Sequence, residues 1–200
     1  GQALLGVLSD SLGRRSIFII GGFIFTLVSF LAAFSPNIYV LIICRFLQGF
    51  SIAGPAVVCR AIATDCFSGL SLNKAMTFIT VSWALGPIIG PVIGGYLQHY
   101  FNWKADFYFF GLYAFLSFVY AAIALPETIV EKLPLHPVKI LSIVKEISTH
   151  PIFVLYSVIA SLIYGSLVVF NVIAPFLIQI DLNYSVIAFS AVSLLLGVAF

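Results

Sequence analysis

Gly86-Pro87-Ile88-Ile89-Gly90-Pro91-Val92-Ile93-Gly94-Gly95 places four glycines and two prolines in ten residues, inside a hydrophobic run from Thr77 to Leu97. In water this segment would not hold a helix, because each interior glycine costs roughly 1 kcal/mol and each proline about 3. In a bilayer the backbone has no alternative hydrogen-bond partner, so the helix persists, bent and smooth-sided. The run has the ~20 residues needed to cross about 30 Å of hydrocarbon. Gly86, Gly90 and Gly94 recur at every fourth residue, which predicts a stripe that a neighbouring helix can approach closely.

The rest of the chain agrees with a membrane setting. Of its 200 residues 62% are hydrophobic and 8% charged, with a mean hydropathy of +1.18. Globular chains carry about 25% charged residues. The expected fold class is therefore all-α and integral to the membrane. Ser16 to Phe34 is 19 residues without a charge, Tyr39 to Ala63 a second span, Thr77 to Leu97 a third, Phe107 to Leu125 a fourth and Ile152 to Ile178 a fifth. Gly1 to Leu8 reads as the tail of a helix and Val186 to Phe200 as the start of one, so the chain is expected to be a fragment of a longer protein. Cys44, Cys59 and Cys66 lack metal-ligand spacing and are expected to be small buried hydrophobes.

Sidedness follows from basic residues. Loops 9–15, 64–75 and 127–150 hold Arg14, Arg15, Lys74, Lys132, Lys139 and Lys145, whereas loops 35–38, 99–106 and 179–185 hold Lys104 alone. Six against one, in strict alternation, predicts that the first set is cytoplasmic. Residues 126–150 carry three prolines, three glutamates and three lysines, and divide a helical half at 1–125 from the start of a second at 151–200. Val138, Leu141, Ile143, Val144 and Ile147 could lay part of this linker along the membrane surface.

Several polar residues stand where only a function or a partner explains them. Arg45 lies about six residues, or roughly 9 Å, into its span, where an arginine costs about 2.5 to 3.5 kcal/mol. It must face a cavity or partner, or snorkel to the near interface. Gln48, one turn on, is expected to share a cavity-lining face with it. Arg60 and Asp65 are expected to join an ion-pair network with the Asp10 loop. Ser157, Ser161, Tyr164 and Asn171 share one helix face and either line a substrate path or bond across helices. Trp83 could add an aromatic wall. No phosphate-binding loop, HExxH or cysteine cluster occurs, and all three histidines fall in loops, so no enzyme chemistry, cofactor, metal or nucleic-acid partner is expected. No Asp or Glu falls well inside a complete span, which leaves a proton-carrying carboxylate unidentified.

Taken together, the motifs resemble the major facilitator superfamily. Gly6-Val7-Leu8-Ser9-Asp10-Ser11-Leu12-Gly13-Arg14-Arg15 is similar to the GxLxDrxGRR loop between its second and third helices, with Ser11 where a basic residue is common. Arg45-Phe46-Leu47-Gln48-Gly49 resembles RxxQG of the fourth helix, and Arg60 to Asp65 that helix's cytoplasmic end in drug exporters. Gly86, Gly90, Pro91, Gly94 and Gly95 fit GxxxGPxxGG of the fifth helix, which goes with proton-coupled antiport in this superfamily; Thr77 stands where a further glycine is common. Asn102-Trp103-Lys104 with Phe107, and Pro126-Glu127-Thr128, resemble the bicyclomycin resistance/chloramphenicol efflux exporters of twelve helices.

The resemblance implies the major facilitator fold from late helix 2 to early helix 8, in a bacterial inner membrane, as a monomer when full length. It implies export of drug-like small molecules in exchange for protons by alternating access. Arg45 and Gln48 would serve coupling, and Gly6, Asp10, Gly13, Arg14 and Arg15 would gate the cytoplasmic side. The competing expectations are a symporter or uniporter for a metabolite, and a non-transporting membrane protein or non-functional fragment.

Overall fold

The computed structural model describes residues 2–129 and 148–199, and the expected surface helix of the linker lies outside them. The described residues form helices joined by short connections. They are α1 (Gln2–Leu12), α2 (Arg14–Ala33), α3 (Ile38–Cys66), α4 (Gly69–Tyr100), α5 (Lys104–Ala124), α6 (Pro151–Phe176, running on into a π turn Leu177–Asp181) and α7 (Val186–Ala199). Five helical stretches are long and apolar enough to cross a membrane: α2, α3, α4, α5, and α6 with its π turn.

The breaks between helices have local causes. Gly13 takes φ 110°, a region that side chains disfavour, and so lets α1 end and α2 begin one residue apart. Phe34 closes α2, and Asn37 opens α3 by accepting a hydrogen bond from the Val40 N–H at 3.0 Å on its side-chain oxygen. Pro55, Pro87 and Pro91 sit inside helices without ending them. After α5, Pro126 cannot continue the ladder. Pro175 stands just before the π turn, where its missing N–H has already disturbed the regular pattern.

The loops are shorter than hydropathy suggests. The expected loop 64–75 contracts to Phe67 and Ser68, loop 99–106 to Phe101–Trp103, and α1 continues through Ser9 to Leu12. Hydropathy reports the hydrocarbon boundary, whereas the helix itself continues into the polar zone. At 1.5 Å per residue, the 32 residues of α4 reach about 48 Å, well beyond the hydrocarbon.

Helix α2 is the centre of the packing. It lies against α3 and α5 along its length, while α1 rests on α3 and α2, and α4 packs chiefly on α7. A core of Val28, Ala32, Ala33, Cys44 and Phe107 forms where α2, α3 and α5 meet. Small residues make this approach possible. A Cβ on Gly21 would stand 2.6 Å from Pro55 Cδ, and one on Gly22 would stand 2.7 Å from Phe118 Cβ. Outside the core, large apolar side chains such as Ile123, Leu162 and Ile43 face outward, as lipid-facing residues do.

Two expectations need correction. Cys44 is buried, but Cys59 and Cys66 are exposed: Cys59 stands one residue round the helix from the fully buried Val58 and faces away from the packing, and Cys66 is the last residue of α3. The Gly86–Gly90 stripe meets nothing within 4 Å, whereas Gly95 is buried against Ser190 of α7. The close helix approach therefore falls at the lower end of the motif, where the Ser190 hydroxyl lies 2.9 Å from the Pro91 carbonyl oxygen.

Candidate functional site

Two constellations stand at opposite ends of α2. The first is built around Arg14, whose side chain is 12% exposed. Its guanidinium donates to the Ser9 hydroxyl at 2.7 Å, to Asp10 one turn before it, and to Asp65 Oδ2 at 3.2 Å. The first two are on α1 and the third is on the last turn of α3, so one side chain ties three helices. The Thr128 hydroxyl donates to the same Asp65 oxygen at 3.1 Å. Glu127 Oε1 accepts from the Arg14 N–H at 2.9 Å, capping the positive N-terminus of α2. Arg15 donates to the Ala122 carbonyl at 2.7 Å and so fastens the end of α5.

This cluster gathers Asp10, Gly13, Arg14, Arg15 and Asp65. Gly6 allows α1 close to α3, where an added Cβ would stand 3.3 Å from Val57. Arg60 does not enter the cluster and instead lies over the Trp83 ring at 5.5 Å. Glu127 is the member the loop motif alone does not reveal. Its signal in the sequence is an acid directly after the proline that ends an apolar helix.

The second constellation surrounds Arg45. Its guanidinium stacks on the Phe107 ring, 4.4 Å from the centroid, which satisfies the charge without a polar partner on that face. Arg45 also lines a cleft of about 470 Å³ between α1, α3 and α4, together with Gln2, Phe46, Phe50, Ile52 and Trp83. Trp83 thus supplies the aromatic wall. Asp106, next to Phe107, acts on Arg45 electrostatically. A sequence boundary at Phe107 leaves Asp106 in a loop; the structure starts α5 at Lys104 and puts it in the first helical turn.

Gln48 turns the other way from Arg45. It is 4% exposed and its amide donates to the Ser29 hydroxyl of α2 at 2.7 Å, so it belongs to the α2–α3 seam and is not among the cleft-lining residues. Three residues of helix leave the two directions about 60° apart, enough to separate a cleft face from a packed one. Ser29 is the partner that helical periodicity alone did not single out.

Ser157, Ser161, Tyr164 and Asn171 lie along α6, with Ser161 and Tyr164 exposed, and none of them lines the Arg45 cleft. Gly86, Gly90, Pro91, Gly94 and Gly95 run along α4, and only Gly94 approaches the Arg45 constellation: a Cβ there would stand 3.7 Å from Asp106 Oδ1.

Comparison with known proteins adds the family. Over 131 residues the chain is 37% identical to the uncharacterized MFS-type transporter YdgK of Bacillus subtilis (strain 168), covering 64% of this chain and 33% of that protein. It is 38% identical over 128 residues to the multidrug resistance protein MdtM of Escherichia coli (strain K12), covering 64% and 31%. It is 34% identical over 128 residues to the bicyclomycin resistance protein homolog of Haemophilus influenzae, covering 64% and 32%. The chain thus spans about a third of the length of the curated relatives it matches. The sequence profile of the Major Facilitator Superfamily matches residues 1–200. With that match running over all 200 residues, this multi-pass helical chain belongs to the major facilitator superfamily.

Proposed function

We propose that this chain contributes one helical half, and the start of a second, to a proton-driven exporter of small apolar or amphipathic compounds in a bacterial inner membrane. The observation that carries this reading is Arg45. A permanent cation inside a span, stacked on Phe107 and facing an aromatic cleft, is costly unless it is used. The cleft volume falls within the ~300–1,000 Å³ typical of small-molecule sites. Its wall of Phe46, Phe50 and Trp83 suits flat apolar compounds, and the similarity to a multidrug resistance protein supports drug-like substrates. Ser157, Ser161, Tyr164 and Asn171 are assigned to the substrate path from the second half.

The Arg14 end faces the cytoplasm, as the count of lysines and arginines indicates. There the Arg14–Asp10–Asp65–Glu127 cluster acts as a latch: its bonds hold α1, α2, α3 and the α5 end together in one state and must loosen as the halves rock. Full-length protein works as a monomer in this reading.

Reconstitution of the full-length protein into vesicles with an acidic interior tests the direction. Ethidium suits the purpose because its permanent charge prevents passive trapping by pH. The expected result is ethidium accumulation inside as protons leave. Ethidium leaving together with protons would instead indicate a symporter, and indifference to the gradient a uniporter.

A further inference from the structure

The geometry points to Asp106 as the carboxylate that carries the exchanged proton, with Arg45 as the charge that senses whether it is loaded. This inference rests on the exporter reading and names a group for it. The described acidic residues are Asp10, Asp65, Asp106, Glu127 and Asp181. Asp10, Asp65 and Glu127 are committed to the Arg14 cluster, and Asp181 is exposed beyond α6. Asp106 Oδ1, by contrast, is buried without a hydrogen-bond partner. An acceptor left so costs roughly 1–3 kcal/mol, more when charged, so the site gains from either of two changes. A proton on the carboxyl removes the charge; the nearby field of Arg45 favours keeping it. These opposing demands make a group with two accessible states.

The surroundings allow both states. Asp106 and Arg45 act on each other electrostatically without closing an ion pair, since Arg45 is held over Phe107, the residue next to Asp106. Helix α4 meets the carboxylate with Gly94, which has no side chain to fill the space beside Oδ1. The α2 arginines stand at the far end of α5, where Arg15 reaches Ala122. On α5 itself the other charged group is Lys104, one half-turn before Asp106, whose ammonium lies 5.7 Å from the Trp103 ring.

The step balances simply. A hydronium ion gives its proton to the Asp106 carboxylate: its O–H bond breaks as an O–H bond forms on the carboxyl, water is left behind, and the local charge rises by one. Arg45 then lacks its counter-charge and is free to engage the opposite half or to repel a cationic substrate. Loss of the proton to water on the other side restores the first state.

Infrared difference spectroscopy of the full-length protein in proteoliposomes, titrated with acid, tests this directly. A protonated-carboxyl band is expected that disappears in Asp106→Asn, persists in Asp106→Glu, and changes its response to acid in Arg45→Gln. Asn also suits a helix N-terminus, so Asp106→Asn keeps the fold while removing the proton site. Ethidium accumulation driven by a pH gradient is measured in the same vesicles, and is expected to fall to the protein-free level in Asp106→Asn and to be retained in Asp106→Glu. If wild type ignores the gradient, the exporter reading fails and the infrared band alone decides for or against Asp106. If wild type responds and Asp106→Asn responds equally, or if the band survives in Asp106→Asn or ignores Arg45→Gln, Asp106 is not the carrier.

Discussion

Arg14 at the start of α2 donates to Asp65 at the end of α3 across 3.2 Å, and the same guanidinium holds Asp10 and Ser9 of α1. Its near burial separates it from an ordinary surface pair, which is worth about 0–1 kcal/mol. Arg14→Ala leaves two carboxylates facing each other with no cation between them. It is expected to lower stability by about 1–2 kcal/mol, since hydrogen bonds to charged groups are worth about 1.5–3 each and the carboxylates remain partly solvated. Asp65→Asn and Asp10→Asn should each cost less and still impair transport, although neither touches substrate. Thermal unfolding in detergent, combined in a double-mutant cycle with Arg14→Ala, checks the coupling, and strict additivity of Arg14→Ala and Asp65→Asn would contradict it.

Gly13→Ala is expected to be worse than Gly6→Ala. At Gly13 the backbone has φ 110° and an added Cβ runs into the Glu127 carboxylate that caps α2. Moving Glu127 aside would relieve the clash but not the backbone strain, which is of order 1–3 kcal/mol. At Gly6 the neighbour is a Val57 methyl at 3.3 Å, which a small shift accommodates. Unfolding temperatures of the two variants should rank in that order.

The closest helix approaches are predicted to be sensitive at Gly21 and Gly22 and tolerant at Gly86 and Gly90. A Cβ at Gly21 meets both Pro55 and the Ser51 carbonyl oxygen at 2.7 Å, and neither can move without α3 moving. A Cβ at Gly86 or Gly90 meets nothing within 4 Å, and replacing an interior helix glycine by alanine gains about 0.5–1 kcal/mol. Gly21→Ala should therefore reduce the yield of folded protein, and Gly90→Ala should not. Loss of transport in a well-folded Gly90→Leu would assign the stripe to a contact made elsewhere in the transport cycle.

Ser29→Ala is expected to destabilise more than Ser29→Ala combined with Gln48→Leu. The single change strands the Gln48 amide, which is buried with its Oε1 already unpartnered. A cost of about 1 kcal/mol is expected, between the ~0.6 typical of hydrogen bonds in membrane bundles and the 1–3 of a stranded group. The double change removes both polar partners. Equal melting temperatures for single and double variants would show that the bond is idle.

Much of this arrangement is legible in the sequence, for identifiable reasons. The spans are written in hydropathy, and the α1–α2 part of the Arg14 cluster in the ten-residue motif Gly6 to Arg15, which Asp65 and Glu127 join from elsewhere in the chain. Arg45 declares itself through its cost in a bilayer. What the sequence hides is direction and boundary. Gln48 shares a helix turn with Arg45 yet faces α2, and only packing decides that a residue about 60° round the helix is buried. Asp106 sits one residue outside the hydropathy edge of α5 at Phe107, so its place in the helix depends on where the backbone starts to coil, which apolar runs do not mark. The Gly86–Gly95 repeat gives a smooth face but does not say which helix fills it; Ser190 meets it at Gly95, 95 residues later in the chain.

The central claim is that substrate and proton compete through Arg45. Proton release on adding ethidium to purified full-length protein, in unbuffered detergent solution, measures it most directly. Wild type is expected to release protons in proportion to the ethidium bound, and Arg45→Ala to release none while remaining folded in detergent. Undiminished release from Arg45→Ala would contradict the account.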